Sequence, residues 1–378
     1  MYPIACLARP LLAASVVRLL FAMFFGLLML VCPAAAEIAL KDLSGREVRL
    51  AAPAQRLLID DGRFLIALSL ILPDPVSVVA AWPRDINRIG KRTFEAYKAK
   101  FPAIENLAKV ASSAGSLSVE QVVAARPDLA VFSLGSQPSD EERERIEAAG
   151  IPVVVIDFFV HPLTNLEPSL RLLGMATGRA AQAEDFLAFR RAHLDAIRDR
   201  LAGLTQGERP RVFLEPHAAM TADCCNSPGR GNVGDIIEAD GGTNIGAAII
   251  PRAFGKLNLE YVIAQNPQVY IATGGSHMEG TAGLLVGPEY SLDRARETLR
   301  GVVARPGFAG LAAVKGERVH GLSHQLLNSP LDLITVEILA KWIHPERFAN
   351  LDVDTTVAEV NRRFLAVPIE GPNWVDLD

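Results

Sequence analysis

Residues 117–131 and 257–271 are two copies of one pattern. Leu117-Ser-Val-Glu120-Gln-Val-Val-Ala-Ala-Arg-Pro127-Asp-Leu-Ala-Val recurs 140 positions later as Leu257-Asn-Leu-Glu260-Tyr-Val-Ile-Ala-Gln-Asn-Pro267-Gln-Val-Tyr-Ile. Ser118 or Asn258 supplies an N-cap oxygen at the head of a short helix, proline marks the turn after it, and a β-branched run follows. A chain that carries the same helix–turn–strand unit twice, so far apart, is expected to fold as two similar halves.

Short apolar runs alternate with helical patterns on both sides of the midpoint. They are Arg56–Asp60, Val76–Ala81, Leu129–Ser133 and Val153–Asp157, then Arg211–Glu215, Val269–Thr273 and Arg318–Leu322. Strand and helix in alternation is the signature of parallel sheets. Between the halves, Ala180–Leu204 keeps helical period, with Phe186, Phe189, His193, Ile197 and Leu201 on one stripe and no Gly, Ser or Pro up to Ala202. The expected fold is therefore α/β, with two Rossmann-like lobes of parallel sheet joined by one long rigid helix and a ligand cleft between them. The expected boundaries are 37–178 for the first lobe, 179–205 for the helix, 206–345 for the second lobe and 346–378 for a C-terminal extension.

At the amino terminus, Arg9 and Arg18 precede the apolar run Leu19–Val31, and Ala34-Ala35-Ala36 follows it. The run is too short for a membrane span and ends in small residues, so residues 1–36 read as a secretory signal peptide cleaved after Ala36. Met29-Leu30-Val31 lacks the small residue that a lipobox places before its cysteine, so Cys32 is not expected to carry lipid. Of the four cysteines, only Cys224 and Cys225 then remain, adjacent in a loop rich in Gly, Pro and Asn, which suits a structural role better than a zinc site. The net charge of -5 argues against a nucleic-acid partner.

Ligands of parallel sheets bind beyond the carboxyl ends of the strands. The loops there hold Asp61 and Arg63, Trp82 and Arg84, Ser112 and Ser113, and Phe158 and His161. In the second half they hold His217, Arg230, Arg252, Phe254, His277 and His324.

The duplicated pattern, together with Gly229–Gly246 (GRGNVGDIIEADGGTNIG) and Arg305–Val319 before the last predicted strand, resembles the periplasmic binding proteins for ferric siderophores, haem and vitamin B12. The resemblance covers about residues 37–345. It implies a monomeric periplasmic protein that captures a ferric siderophore or similar iron chelate and delivers it to an ABC permease dimer, with haem or cobalamin as the alternative cargo and no resident cofactor or metal.

It also implies that Glu120 and Glu260 meet arginines of the permease. A glutamate in the first helical turn has an ordinary role too, since it complements the helix dipole by about 0.3–1 kcal/mol. For an anionic, partly aromatic chelate, guanidinium forks and aromatic faces are suited. The expected ligand-binding residues are Arg63, Trp82, Arg84, His217, Arg230, Arg252 and His324, of which Arg84 and Arg230 rank first. His324 stands in the loop where the family often places a Tyr or His.

Capture of a bare metal ion would need about four clustered ligands, and the seven histidines are scattered. No G-x-S-x-G elbow or H-E-x-x-H helix is present, and Gly229–Gly234 matches G-x-G-x-x-G by spacing alone. An enzyme is not expected.

Overall fold

A computed structural model describes residues 37–111, 117–221 and 223–377. The expected signal peptide and its cleavage point, and Ser112 and Ser113, lie outside the described residues.

The chain opens with an antiparallel pair, β1 (Ile38–Lys41) and β2 (Glu47–Leu50). The first main sheet follows, from β3 (Leu57–Ile59), β4 (Val79–Trp82), β5 (Ala108–Lys109), β6 (Leu129–Ser133) and β7 (Val153–Ile156), in the order β5-β4-β3-β6-β7 and parallel throughout. Its central strands are buried on both faces, which is why they read as unbroken apolar runs.

In the second half come β8 (Arg211–Glu215), β9 (Asn226–Pro228), β10 (Thr243–Asn244), β11 (Phe254–Lys256), β12 (Val269–Gly274), β13 (Val319–Ser323) and β14 (Trp374–Asp376). Strands β10-β8-β12-β13-β14 form the second sheet, parallel except for β14, while β9 and β11 make a separate antiparallel ribbon.

The duplicated motif is the same object twice. Helix α1 (Val119–Ala125) starts with the Ser118 hydroxyl accepting Gln121 N–H, and ends with Arg126 in the left-handed region at φ 47°. Between the halves runs α2 (Ala180–Arg200). Helix α3 (Leu259–Gln265) starts with Asn258 accepting Tyr261 N–H, and ends with Asn266 at φ 43°. Pro127 and Pro267 then redirect the chain into β6 and β12.

The apolar stripe of α2 is buried at Phe186, Phe189, Ile197 and Leu201. The preceding helix, Pro162–Ala176, lies so close that a Cβ on Gly174 would meet the Ala183 methyl at 2.6 Å. On its other side α2 meets α4 (Asp332–Ile343). There Arg190 forks onto Asp332 at 2.5 and 2.9 Å, with both side chains almost fully buried, and His193 Nδ1 lies 2.6 Å from Glu337. One hydrophobic cluster runs unbroken from Ile59 through Phe186 and Leu339 to Leu214 and Ile271. The halves are thus joined by packed core, which restricts hinge motion to small angles.

The C-terminal segment is integral to the fold. Helix α5 (Val353–Arg363) leads to Phe364, whose ring lies on Phe186 and Phe189 of α2. Lys100, in the first half, reaches the Ala366 carbonyl at 2.6 Å, and β14 then pairs with β13.

Removing one member of the buried Arg190–Asp332 pair strands the other charge, at a cost of about 3–5 kcal/mol. Asp332→Ala should lower the urea midpoint accordingly, whereas Arg190→Met with Asp332→Leu should recover most of the loss. Equal losses in the single and double variants would show that the pair is not the source.

Candidate functional site

Parallel order brings the carboxyl ends of neighbouring strands side by side. In the second sheet β12 lies between β8 and β13, so the residues that follow these three strands, His217, His277 and His324, come together although they are far apart in sequence. Ring centroids are 3.9 Å apart for His217 and His324, 4.8 Å for His217 and His277, and 5.7 Å for His277 and His324. His217 Nδ1 is 2.7 Å from His277 Nε2.

Thr273, near the end of β12, organises two of them. Its hydroxyl accepts the His217 backbone N–H at 3.0 Å and lies 3.0 Å from His324 Nδ1. The backbone of His217 is held in the left-handed region at φ 52°. Burial pushes the His217 imidazole down to about 4, with His277 adding to the effect. It lowers His277 as well, and lowers His324 far below the usual range with help from its two neighbours and Arg63. All three rings are neutral near pH 7.

These rings form part of a cleft of about 980 Å³. The first half contributes Arg63, Asn87, Arg88, Phe159 and Val160, and the second half Asn226, Asn232, Arg252, Phe254, Lys256, Gln325 and Asn328 beside the histidines. Among the described residues, the lining holds four cations and no carboxylate.

Two of the cations are fixed from below. Arg63 makes a fork to Asp61 at 2.7 and 2.9 Å, stacks 3.4 Å from the centre of the Phe159 ring and donates to Asn328 O at 3.1 Å. Arg88 reaches the same Asp61 at 2.6 Å and Asp85 at 3.4 Å. Burial alone would raise the Asp61 carboxyl, but Arg63 and Arg88 together hold it low. Arg252 forms no ion pair among the described residues, and Lys256 only approaches Asp223, at 3.9 Å. The cleft therefore has an excess of positive charge over aromatic and amide surface, an arrangement that favours negative charge.

Of the residues expected in the site, Arg63, His217, Arg252 and His324 line this cleft, and so do Phe254 and His277. Three do not. Trp82 is fully buried and stacks on Phe94, because the last residue of β4 points into the core. Arg84 turns away at φ 57° and donates to the carbonyls of Glu105 and Leu107 at 2.6 and 2.8 Å. Arg230 is exposed beside the Ala247 carbonyl at 3.4 Å. Phe158 is core, and His161 lies outside the cleft near Asp235.

Arg88, Lys256, Phe159, Gln325 and Asn328 were not expected. Each except Lys256 follows the end of a main-sheet strand by two to six positions, so the loops that hold the expected residues hold these as well.

Glu215, Cys224 and Cys225 also come together. The two sulfurs are joined in a vicinal disulfide, and Glu215 is taken by Arg305 and the Tyr270 hydroxyl, so these residues offer no free metal ligands.

A family model described as periplasmic binding protein matches residues 70–326. This chain belongs to the periplasmic binding protein family. It is therefore the extracytoplasmic substrate-binding component of an ABC transporter, in a family of binding proteins rather than enzymes.

Among relatives, the molybdate-binding protein MolA of Haemophilus influenzae is 24% identical, with 79% of this chain and 82% of that protein covered. The TroA-like periplasmic binding protein FepB of Veillonella parvula superposes with a TM-score of 0.81 at 23% identity, covering 90% of this chain and all of that one. The Helicobacter pylori CeuE nickel–histidine complex gives 0.64 at 18% identity, covering 88% and 95%. The fold of this periplasmic binding protein is thus the two-lobed TroA-like one. No helix among the described residues is long and apolar enough to cross a membrane.

Beneath the cleft, Asp60 accepts Ser133 N–H at 3.1 Å and the Ser136 hydroxyl at 2.8 Å, and burial pushes its carboxyl up to about 7. A carboxyl raised in the folded state adds stability that is complete below its unfolded value and is lost as pH rises through the folded one. Relative to Asp60→Asn, the thermal midpoint of the wild-type protein should fall between about pH 4 and 7 and level off above that. The lowered histidines act over an overlapping range with the opposite sign, and they cancel in the comparison of the two proteins. Parallel pH profiles for the two proteins would exclude Asp60.

Proposed function

We propose that this protein captures an anionic ferric chelate of the siderophore class and presents it to a two-fold ABC permease. The observation that carries the reading is the cleft lining, with Arg63, Arg88, Arg252 and Lys256, three neutral imidazoles and no carboxylate around about 980 Å³. A chelate of several hundred daltons suits that volume, while its negative charge and planar donor groups match guanidinium forks and the faces of Phe159 and Phe254.

MolA, a relative, is named for molybdate. The cationic lining also favours an oxyanion, but so small an ion would leave most of the cleft to water. Native mass spectrometry and calorimetry with ferric tris-catecholates, ferric tris-hydroxamates, haem, cobalamin and molybdate separate these readings. A ferric chelate is expected to bind with a dissociation constant of about 0.1–1 µM, or about -8 to -9.5 kcal/mol. Binding of molybdate, haem or cobalamin alone would replace the cargo and leave the family untouched.

Arg252→Ala should weaken the ferric chelate by about 1.5–3 kcal/mol, the range for hydrogen bonds to charged groups, without loss of circular dichroism. Arg84→Ala and Arg230→Ala should leave affinity within about 0.5 kcal/mol. The reverse pattern in calorimetry would move the binding site to the other side of these loops.

For delivery, the reading rests on Glu120 and Glu260, exposed at the same position of α1 and α3. They differ in one respect. Glu120 is paired with Arg145 at 2.7 Å, whereas Glu260 has no ion pair among the described residues. Exposed charges set orientation more than affinity, so Glu120→Ala with Glu260→Ala should leave chelate binding unchanged and reduce uptake in cells lacking the native protein. Arg145→Ala, which frees Glu120, should preserve uptake. Normal uptake by the double variant would remove both glutamates from docking.

A further inference from the structure

The hydrogen positions in the histidine cluster are dictated by backbone groups outside it. The Asn87 carbonyl can only accept, so the Gln325 amide beside it, at 3.3 Å, presents Nε2 there. The same nitrogen lies 3.3 Å from His277 Nδ1. Gln325 Oε1 faces the Ser323 hydroxyl at 3.4 Å and rests on Gly275, where any side chain would displace it. His277 Nδ1 is therefore the acceptor, its hydrogen sits on Nε2, and it donates to His217 Nδ1 at 2.7 Å. That leaves the hydrogen of His217 on Nε2. This nitrogen has no hydrogen-bond partner among the described residues, and the ring borders the cleft.

His324 is set in the same way. Val233 N–H donates to Asn232 Oδ1 at 2.7 Å, so Asn232 Nδ2 faces Asn328 Oδ1 at 3.2 Å. Asn328 Nδ2 then donates to His324 Nε2 at 3.0 Å, and the remaining Nδ1–H of His324 goes to the Thr273 hydroxyl at 3.0 Å. In each neutral ring the one lone pair is already accepting a hydrogen.

We propose that the cleft reads its cargo through the outward Nε2–H of His217, donated to an oxygen of a chelate that already fills the metal's coordination shell, and not through an imidazole bound to the metal. This rests on the anionic-chelate reading above and narrows it. Ligation needs a free lone pair, and here that would require the Gln325–His277–His217 chain to reverse against the fixed polarity of the Asn87 carbonyl. Chelates that complete the octahedral shell themselves are accepted. Chelates that leave positions open for protein ligands gain nothing from this site. Because Asn87 belongs to the first half of the molecule and the histidines to the second, the polarity is set across the cleft.

Nitrogen-15 histidine spectra of the cargo-free protein read the tautomers directly. Nε2–H on His217 and His277 with Nδ1–H on His324 is expected, and Nδ1–H on His217 overturns the proposal. Optical titration then compares a ferric tris-catecholate with a ferric bis-catecholate, both of them anions. The tris-chelate should bind about tenfold or more tightly than the bis-chelate with its charge-transfer band unshifted, and His217→Phe should cost it about tenfold. A band shift with the bis-chelate that His217→Phe abolishes would show ligation and overturn the proposal.

Gln325→Glu supplies an acceptor in place of the donor, so the chain should reverse and turn a lone pair outward. It should lose about tenfold for the tris-chelate and gain a shifted band with the bis-chelate. If no ferric probe binds, the cargo reading fails and the recognition step with it, whereas wrong tautomers with intact binding sink the proposal alone.

Discussion

A buried charge has to be answered by another, and Arg190 is answered from both halves of the molecule. Its guanidinium forks onto Asp332 of α4 and also approaches the carbonyl of Pro162, at the start of the helix that leads into α2. Desolvating a guanidinium is tolerable only when its partner is held in place, so the contact fixes the angle between the connecting helix and the second sheet. Arg63 to Asn328 and Gln325 to Asn87 are contacts between the same two halves, on the cleft side.

The cleft built on this frame separates two kinds of positive charge. Arg63 and Arg88 are neutralised and immobilised by Asp61, so they contribute shape and hydrogen-bond direction. Arg252 and Lys256 lie on or beside the β9–β11 ribbon and stay exposed. Paired guanidinium groups thus lie at depth and less restrained charge at the rim.

The frame was legible in the sequence because its signals are local. Caps at Ser118 and Asn258, the prolines at 127 and 267 and the β-branched runs all act within a few residues of themselves, and the seven expected strands lie within a few positions of β3, β4, β6, β7, β8, β12 and β13. The site was legible only where one rule, residues beyond strand ends, matched the direction in which the backbone sent the side chain. It placed His217, His324, Arg63 and Arg252 in the cleft. It misplaced Trp82, where strand alternation pointed the ring inward, and Arg84, where a left-handed backbone turned the guanidinium outward. Convergence of the histidines depends on the order β8-β12-β13, and strand order is a property of the whole fold that no window along the chain contains.

Strand β14 is held by three residue pairs: His320 with Asp376, Gly321 with Val375, and Leu322 with Trp374. Without it, β13 would show an unpaired row of amides and carbonyls flanked by apolar side chains, a template for pairing with another chain. Leu322 lies some fifty residues earlier in the chain than Trp374, so during synthesis this edge stays open until β14 has been made. Strand β14 therefore acts as a stopper on the second sheet. Bulky tags or losses there put solubility at risk before they touch the cleft.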